Sequence, residues 1–126
     1  ADPSLEIDGD FTREAGRAAV ERLLNLTPRP TALFASNDSM ALGVLRGLHE
    51  AGLEAPDDLA LVGFDDIPMA HYVAPSLTTV HAPMKELGER AIERLLALVQ
   101  GDASPSHHTL QTRLVRRESC GCTPEP

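Results

Sequence analysis

Two apolar runs of strand length, Thr31 to Ala35 and Leu59 to Phe64, bracket a stretch where Met40, Ala41, Val44, Leu45 and Leu48 recur at helical spacing. Strand, helix, strand in that order predicts a right-handed βαβ unit. Runs that are apolar at every position predict parallel strands covered on both faces. The fold class that follows is α/β, a three-layer parallel sheet with helices on both faces. The central helix closes on Gly52 and Leu53, the pattern of a left-handed terminating glycine followed by an apolar residue.

Upstream, Leu5-Glu6-Ile7 alternates and predicts a short strand entering the Asp8-Gly9-Asp10 turn. Thr12 is placed to cap a helix, with Glu14 in the first turn where the helix dipole favours an anion. Gly16, Val20, Leu23 and Leu24 share one face of that helix, which ends before Pro28 and Pro30. Downstream, Met69 to Pro75 reads as an irregular connection and Leu77 to Val80 as a short strand. Pro83 suits the start of a further helix carrying Leu87, Ala91, Leu95 and Val99 on one stripe, and Gly101 stops it. A polar loop from Gly101 to His108 leads to Thr109–Arg117, which alternates as a half-exposed strand. Residues 121–126 read as a frayed tail. No internal repeat interrupts the pattern.

Of the 126 residues, 42% are hydrophobic and 24% charged, which suits one folded domain and excludes a disordered chain. No apolar run approaches the ~20 residues of a membrane span, and the start lacks the basic and apolar stretches of a signal peptide. The net charge of −8 repels phosphate backbones, and the one basic cluster, Arg113, Arg116 and Arg117, is small. These residues are therefore not expected to bind DNA. Cys120 and Cys122 stand too close for an unstrained disulfide and supply only two metal ligands, which His107 and His108 would have to join. Free thiols in a reducing, cytoplasmic compartment are the expectation, with no metal and no cofactor.

Open parallel sheets bind ligands beyond the carboxyl ends of their strands. Two polar clusters fall there: Ser36-Asn37-Asp38 after the first apolar run and Asp65-Asp66 after the second. An amide and a carboxylate together suit a polyhydroxylated ligand, since a carboxylate accepts from two hydroxyls at once. Capping is the competing role for Asn37 and Asp65. Asp38 is expected to cap the helix, and Asp66 to serve in the turn. Ser36, Ser39, Asp65 and the histidines make no recognisable catalytic pattern, since no nucleophile elbow, phosphate loop or zinc-binding helix motif is present, so no enzyme is expected.

The segments Gly9-Asp10-Phe11-Thr12, Phe34 to Gly43, Pro56 to Leu59, Val62 to Asp66, Pro75 to Val80 and Leu114 to Ser119 resemble, in order and spacing, the effector domain of LacI-type transcription repressors. The resemblance implies a periplasmic-binding-protein-like (type I) fold, in which two α/β lobes clamp a small effector, a sugar or nucleoside. It implies that residues 1–80 are the C-terminal lobe and that 81–111 cross to the other lobe. Residues 112–120 then return as a strand. Asn37 and Asp65 match effector contacts, and Phe11 stands where an aromatic ring stacks on the ligand, with plain core packing as its alternative. Ala82 after His81 departs from the family's polar residue there. Leu42, Tyr72 and Val73 match a homodimer interface. Operator DNA would be bound only by a helix-turn-helix head outside these residues, and no membrane is involved. A periplasmic sugar-binding protein of a transporter shares the fold and is the competing function.

Overall fold

A computed structural model describes residues 2–102, 104 and 107–122. Part of the polar loop and residues 123–126 of the expected tail lie outside the described residues. The regular elements run α1 (Arg13–Leu24), β1 (Ala32–Phe34), α2 (Asp38–Glu50), β2 (Ala60–Asp65), α3 (Met69–Tyr72), β3 (Thr78–His81), α4 (Met84–Val99) and β4 (Arg113–Val115). Short 3₁₀ turns occupy Pro3–Leu5 and Glu118–Cys120.

The strands form one sheet in the order β1-β2-β3-β4. The first three are parallel, and β4 returns antiparallel to β3, pairing Val80 with Leu114. The sheet is thus mostly parallel, with a mixed edge. Thr12 caps α1 by accepting the Ala15 N–H at 3.1 Å, as its sequence position predicts. At the far end of α2, Leu53 N–H donates to the Leu48 carbonyl and Gly52 N–H to that of His49. With Gly52 at φ +71°, this is the complete left-handed helix stop that Gly52-Leu53 foretells.

The core lies between α1, α2 and one face of the sheet: Val20, Leu23, Ala41, Val44, Leu48, Leu59, Leu61 and Leu77 are buried together. At the crossing of α1 and α2, a Cβ on Gly43 would stand 1.9 Å from the Arg13 carbonyl oxygen. Only glycine lets the two backbones approach this closely. Because successive strand residues point to opposite faces, Phe34, Val62, Phe64, Val80 and Leu114 share the other face by register. That face is half open, with Phe34 and Leu114 exposed.

Three sequence expectations change. Leu5-Glu6-Ile7 forms no strand; Pro3 opens a 3₁₀ turn, and Ile7 packs against the core as extended chain. The 69–75 connection is not wholly irregular, because Met69–Tyr72 make one helical turn that buries Ala70. The predicted 109–117 strand shortens to Arg113–Val115, the three residues that face β3.

Candidate functional site

The β1–α2 loop and the end of β2 meet at the carboxyl edge of the sheet. There Asn37, and not Asp38, is the N-cap of α2: its Oδ1 accepts the Met40 N–H at 2.7 Å. This corrects the capping role expected for Asp38. The Asn37 amide also donates to the Phe11 carbonyl at 3.1 Å. One hydrogen bond thereby fixes Phe11, whose φ is +65°, beside Asn37. The Phe11 ring is 64% exposed, so it is not a core residue.

Asp38 is instead completely buried. Its carboxylate accepts the Thr79 hydroxyl at 2.6 Å and the Ile67 N–H at 2.9 Å, joining α2 to β3 and to the turn after β2. A Cβ on Gly63 would come within 2.2 Å of Asp38 Oδ1, which explains the glycine inside an otherwise apolar strand.

Asp65 and Asp66 both have positive φ, +113° and +59°, a region costly for residues with a Cβ. Their carboxylates have opposite fates. Asp66 accepts Arg117 Nη2 at 2.6 Å and meets His81 Nδ1 at 3.0 Å. Burial pushes the Asp66 carboxyl up, but the hydrogen bonds from Arg117 and His81 outweigh it and hold the group below its ordinary value. The Asp65 carboxylate accepts no hydrogen bond among the described residues. Burial first, and then the negative charge of Asp38, push its carboxyl above the usual range. A half-buried carboxylate with no side-chain donor among the described residues thus sits at the strained end of β2, on the same sheet edge as Asn37. Such strain collects at functional sites.

The segment after β4 braces this edge. Arg117 Nη1 donates to the Leu77 carbonyl at 2.7 Å. Ser119 Oγ donates to Leu61 O at 2.7 Å and accepts the Thr78 N–H at 2.9 Å. The Glu118 carboxylate takes both the N–H and the hydroxyl of Ser76. Sequence reading marked this closing motif without giving it work. It also missed the Asp66–Arg117–His81 cluster, because partners 15 and 51 residues apart leave no local pattern.

Of the expected interface residues, Leu42 and Val73 line one open groove of 610 Å³ with Leu45, Met69, Arg46 and His49. Tyr72 stands on α3 with its ring 79% exposed and edge-on to His71. Among the described residues no group of three His, Cys, Asp or Glu side chains is placed to hold a metal. No described helix is long and apolar enough to cross a membrane.

The described residues thus form a mostly parallel sheet with a polar, strained carboxyl edge. The chain belongs to the periplasmic binding protein-like domain family, whose model matches residues 3–120. Its relatives in that family are LacI-type regulators. The ribose operon repressor of Escherichia coli strain K12 is 46% identical over 91 residues, 72% of this chain and 28% of the repressor. A LacI family transcriptional regulator from Enterococcus faecium, solved with bound ribose, matches at TM-score 0.79 and 35% identity, over 87% of this chain and 41% of that one. The lac repressor dimer bound to operator and the anti-inducer ONPF matches at TM-score 0.79 and 35% identity, over 89% of this chain and 34% of that one. The chain therefore spans about a third of the length of these relatives.

Proposed function

We propose that this chain is the C-terminal effector-sensing part of a LacI-type transcription repressor, in which Asn37, Asp65 and Phe11 form one wall of a sugar cleft. The observation that carries the reading is the Asp65 carboxylate, half-buried and without a donor among the described residues, on the same carboxyl edge of the sheet as Asn37. Asn37 keeps one amide hydrogen and one acceptor lone pair after capping α2 and holding Phe11. Two sugar hydroxyls supply the donors Asp65 lacks, and an exposed aromatic ring suits the apolar face of a pyranose or furanose. Ribose in a relative's structure makes a pentose the first ligand to test. The opposite wall is a second lobe, and residues 81–111 belong to it. In support, no residue of α4 is buried against the rest of the described chain. The regulator acts in the cytoplasm as a homodimer and reaches its operator through a separate helix-turn-helix head.

Asp65→Asn in the full-length regulator tests the cleft. Loss of a hydrogen bond to a charged acceptor costs about 1.5–3 kcal/mol, so affinity for D-ribose or the effector that replaces it in a thermal-shift screen should fall more than tenfold by calorimetry. The same change should leave the ligand-free protein as stable or more so at neutral pH. The sign follows from the raised carboxyl: the charged form is disfavoured by folding, and that penalty is present at neutral pH and disappears as pH falls through the folded-state value. Unchanged affinity would remove Asp65 from the site.

Leu42 lies on the groove side of α2, outside the core-facing arc, with Val73 across from it. Its proposed place is the subunit interface. Leu42→Ala should shift the full-length protein towards monomer in sedimentation equilibrium. An unaltered dimer on dilution would count against the assignment.

A further inference from the structure

The chain that braces the sheet ends in a pair of thiols. Cys120 closes the 3₁₀ turn Glu118–Cys120, and Gly121 follows with φ +71°, folding the chain back on itself. In that turn the Cys122 N–H points at Cys120 Sγ from 3.4 Å, and Cys122 Sγ reaches the Cys120 carbonyl at 3.9 Å. Cys120 Sγ itself lies 3.6 Å from the Arg117 carbonyl. Cys120 is half-buried and Cys122 is exposed. This arrangement comes from the fold as well as from sequence spacing, because Ser119, the preceding residue, is pinned to both β2 and β3.

We propose that Cys120 and Cys122 are a redox-active dithiol, a modification site that closes to an intrachain disulfide by exchange with a small-molecule disulfide of the glutathione type. The Cys120 thiolate attacks one sulfur of the glutathione disulfide. That S–S bond breaks, one glutathione thiolate leaves, and Cys120 carries a mixed disulfide. Cys122 gives its proton to solvent and attacks the Cys120 sulfur, expelling the second glutathione. Two protein thiols are oxidised, and one glutathione disulfide is reduced to two thiols. The environment divides the roles. Burial pushes the Cys120 thiol up, but hydrogen bonds from Thr78 and Cys122 outweigh it and leave it below its ordinary value. Its hydrogen bond with Cys120, and then the charge on that sulfur, push the Cys122 thiol up. The sulfur with more thiolate attacks, and its neighbour resolves. Closing a ring across one intervening residue is strained, so the bond is readily reduced and forms only under oxidant load.

The test is to incubate the 126-residue chain with a glutathione disulfide/glutathione mixture, quench with acid and read intact mass. The wild-type chain should lose two hydrogens without gaining an adduct. Cys122→Ser should trap one glutathione on Cys120. In the wild-type chain, a short pulse of limiting iodoacetamide should alkylate Cys120 before Cys122, read by tandem mass spectrometry of the C-terminal peptide. A peptide of residues 117–122 should also form its bond several-fold more slowly than the folded chain. Circular dichroism confirms that each variant is folded, as expected for changes at a chain-end turn. Accumulation of stable mixed disulfides or of cross-linked dimers in the wild type would overturn the proposal. So would alkylation of Cys122 before Cys120, or equal rates for peptide and protein.

Discussion

Asp38→Ala is expected to destabilise the chain by about 3–5 kcal/mol, because it removes the acceptor of one buried and one part-buried hydrogen bond at once. A hydrogen bond to a charged group contributes about 1.5–3 kcal/mol, and the fully buried Thr79 hydroxyl has no water to turn to. The loss reaches three elements: α2, β3 and the turn that sets Asp65. Urea unfolding followed by circular dichroism measures it, as a drop in midpoint at unchanged slope. Asp38→Asn keeps one acceptor oxygen and should lose roughly half as much. That variant also removes the negative charge that helps push the Asp65 carboxyl up, so Asp65 should titrate at lower pH in a carbon-13 NMR experiment. A loss below about 1 kcal/mol for Asp38→Ala, the scale of a simple helix cap, would mean the carboxylate is only a cap after all.

The contrast between Asn37 and Asp38 shows where sequence reading stops. Both are good capping residues, and both precede the same apolar stripe, so local chemistry cannot rank them. The decision belongs to Thr79, 41 residues on, whose hydroxyl claims Asp38 and leaves the cap to Asn37. Elements governed by neighbours in sequence were legible. The stripe of α2, its stop at Gly52, the Thr12 cap and the two apolar strands all came out in place, because periodicity and helix ends are local properties. Leu5-Glu6-Ile7 has the alternation of a strand, yet a strand needs a hydrogen-bonded neighbour, and alternation says nothing about one. The short α3 was hidden by its length, since four residues make a single turn and no period. The positions of Asn37 and Asp65 at the carboxyl ends of β1 and β2 were legible, because they follow from where the apolar runs stop. The Asp66–Arg117–His81 cluster was not, since its members come from three separate parts of the chain. Its one visible trace was the closing Arg116-Arg117-Glu118-Ser119 run, whose residues turn out to brace β2 and β3.

Association of the isolated 126-residue chain through α4 is the second large expected effect. Leu87, Leu95 and Leu96 are about half exposed and Val99 is 77% exposed, so the apolar stripe read from the sequence meets water along its whole length. Fully burying one such side chain is worth about 1.5–3 kcal/mol, which makes the uncovered stripe a strong drive to find a surface. The chain's own sheet does not supply one, since no residue of α4 is buried. The same chain nevertheless leaves a sheet face half open, at Phe34, Val62, Phe64, Val80 and Leu114. A helix without a sheet and a sheet face without a helix, joined through Thr79 to Pro83, are complementary between copies. Exchange of an element is an inexpensive route to a dimer. Sedimentation velocity over a dilution series should therefore show a concentration-dependent dimer or larger species. Leu87→Glu with Leu95→Glu should abolish it, while the urea midpoint of the remaining fold at low concentration stays in place, because neither residue touches the core. A chain that stays monomeric at its highest soluble concentration, or a doubly substituted chain that associates as before, would show that α4 is not the surface through which copies meet.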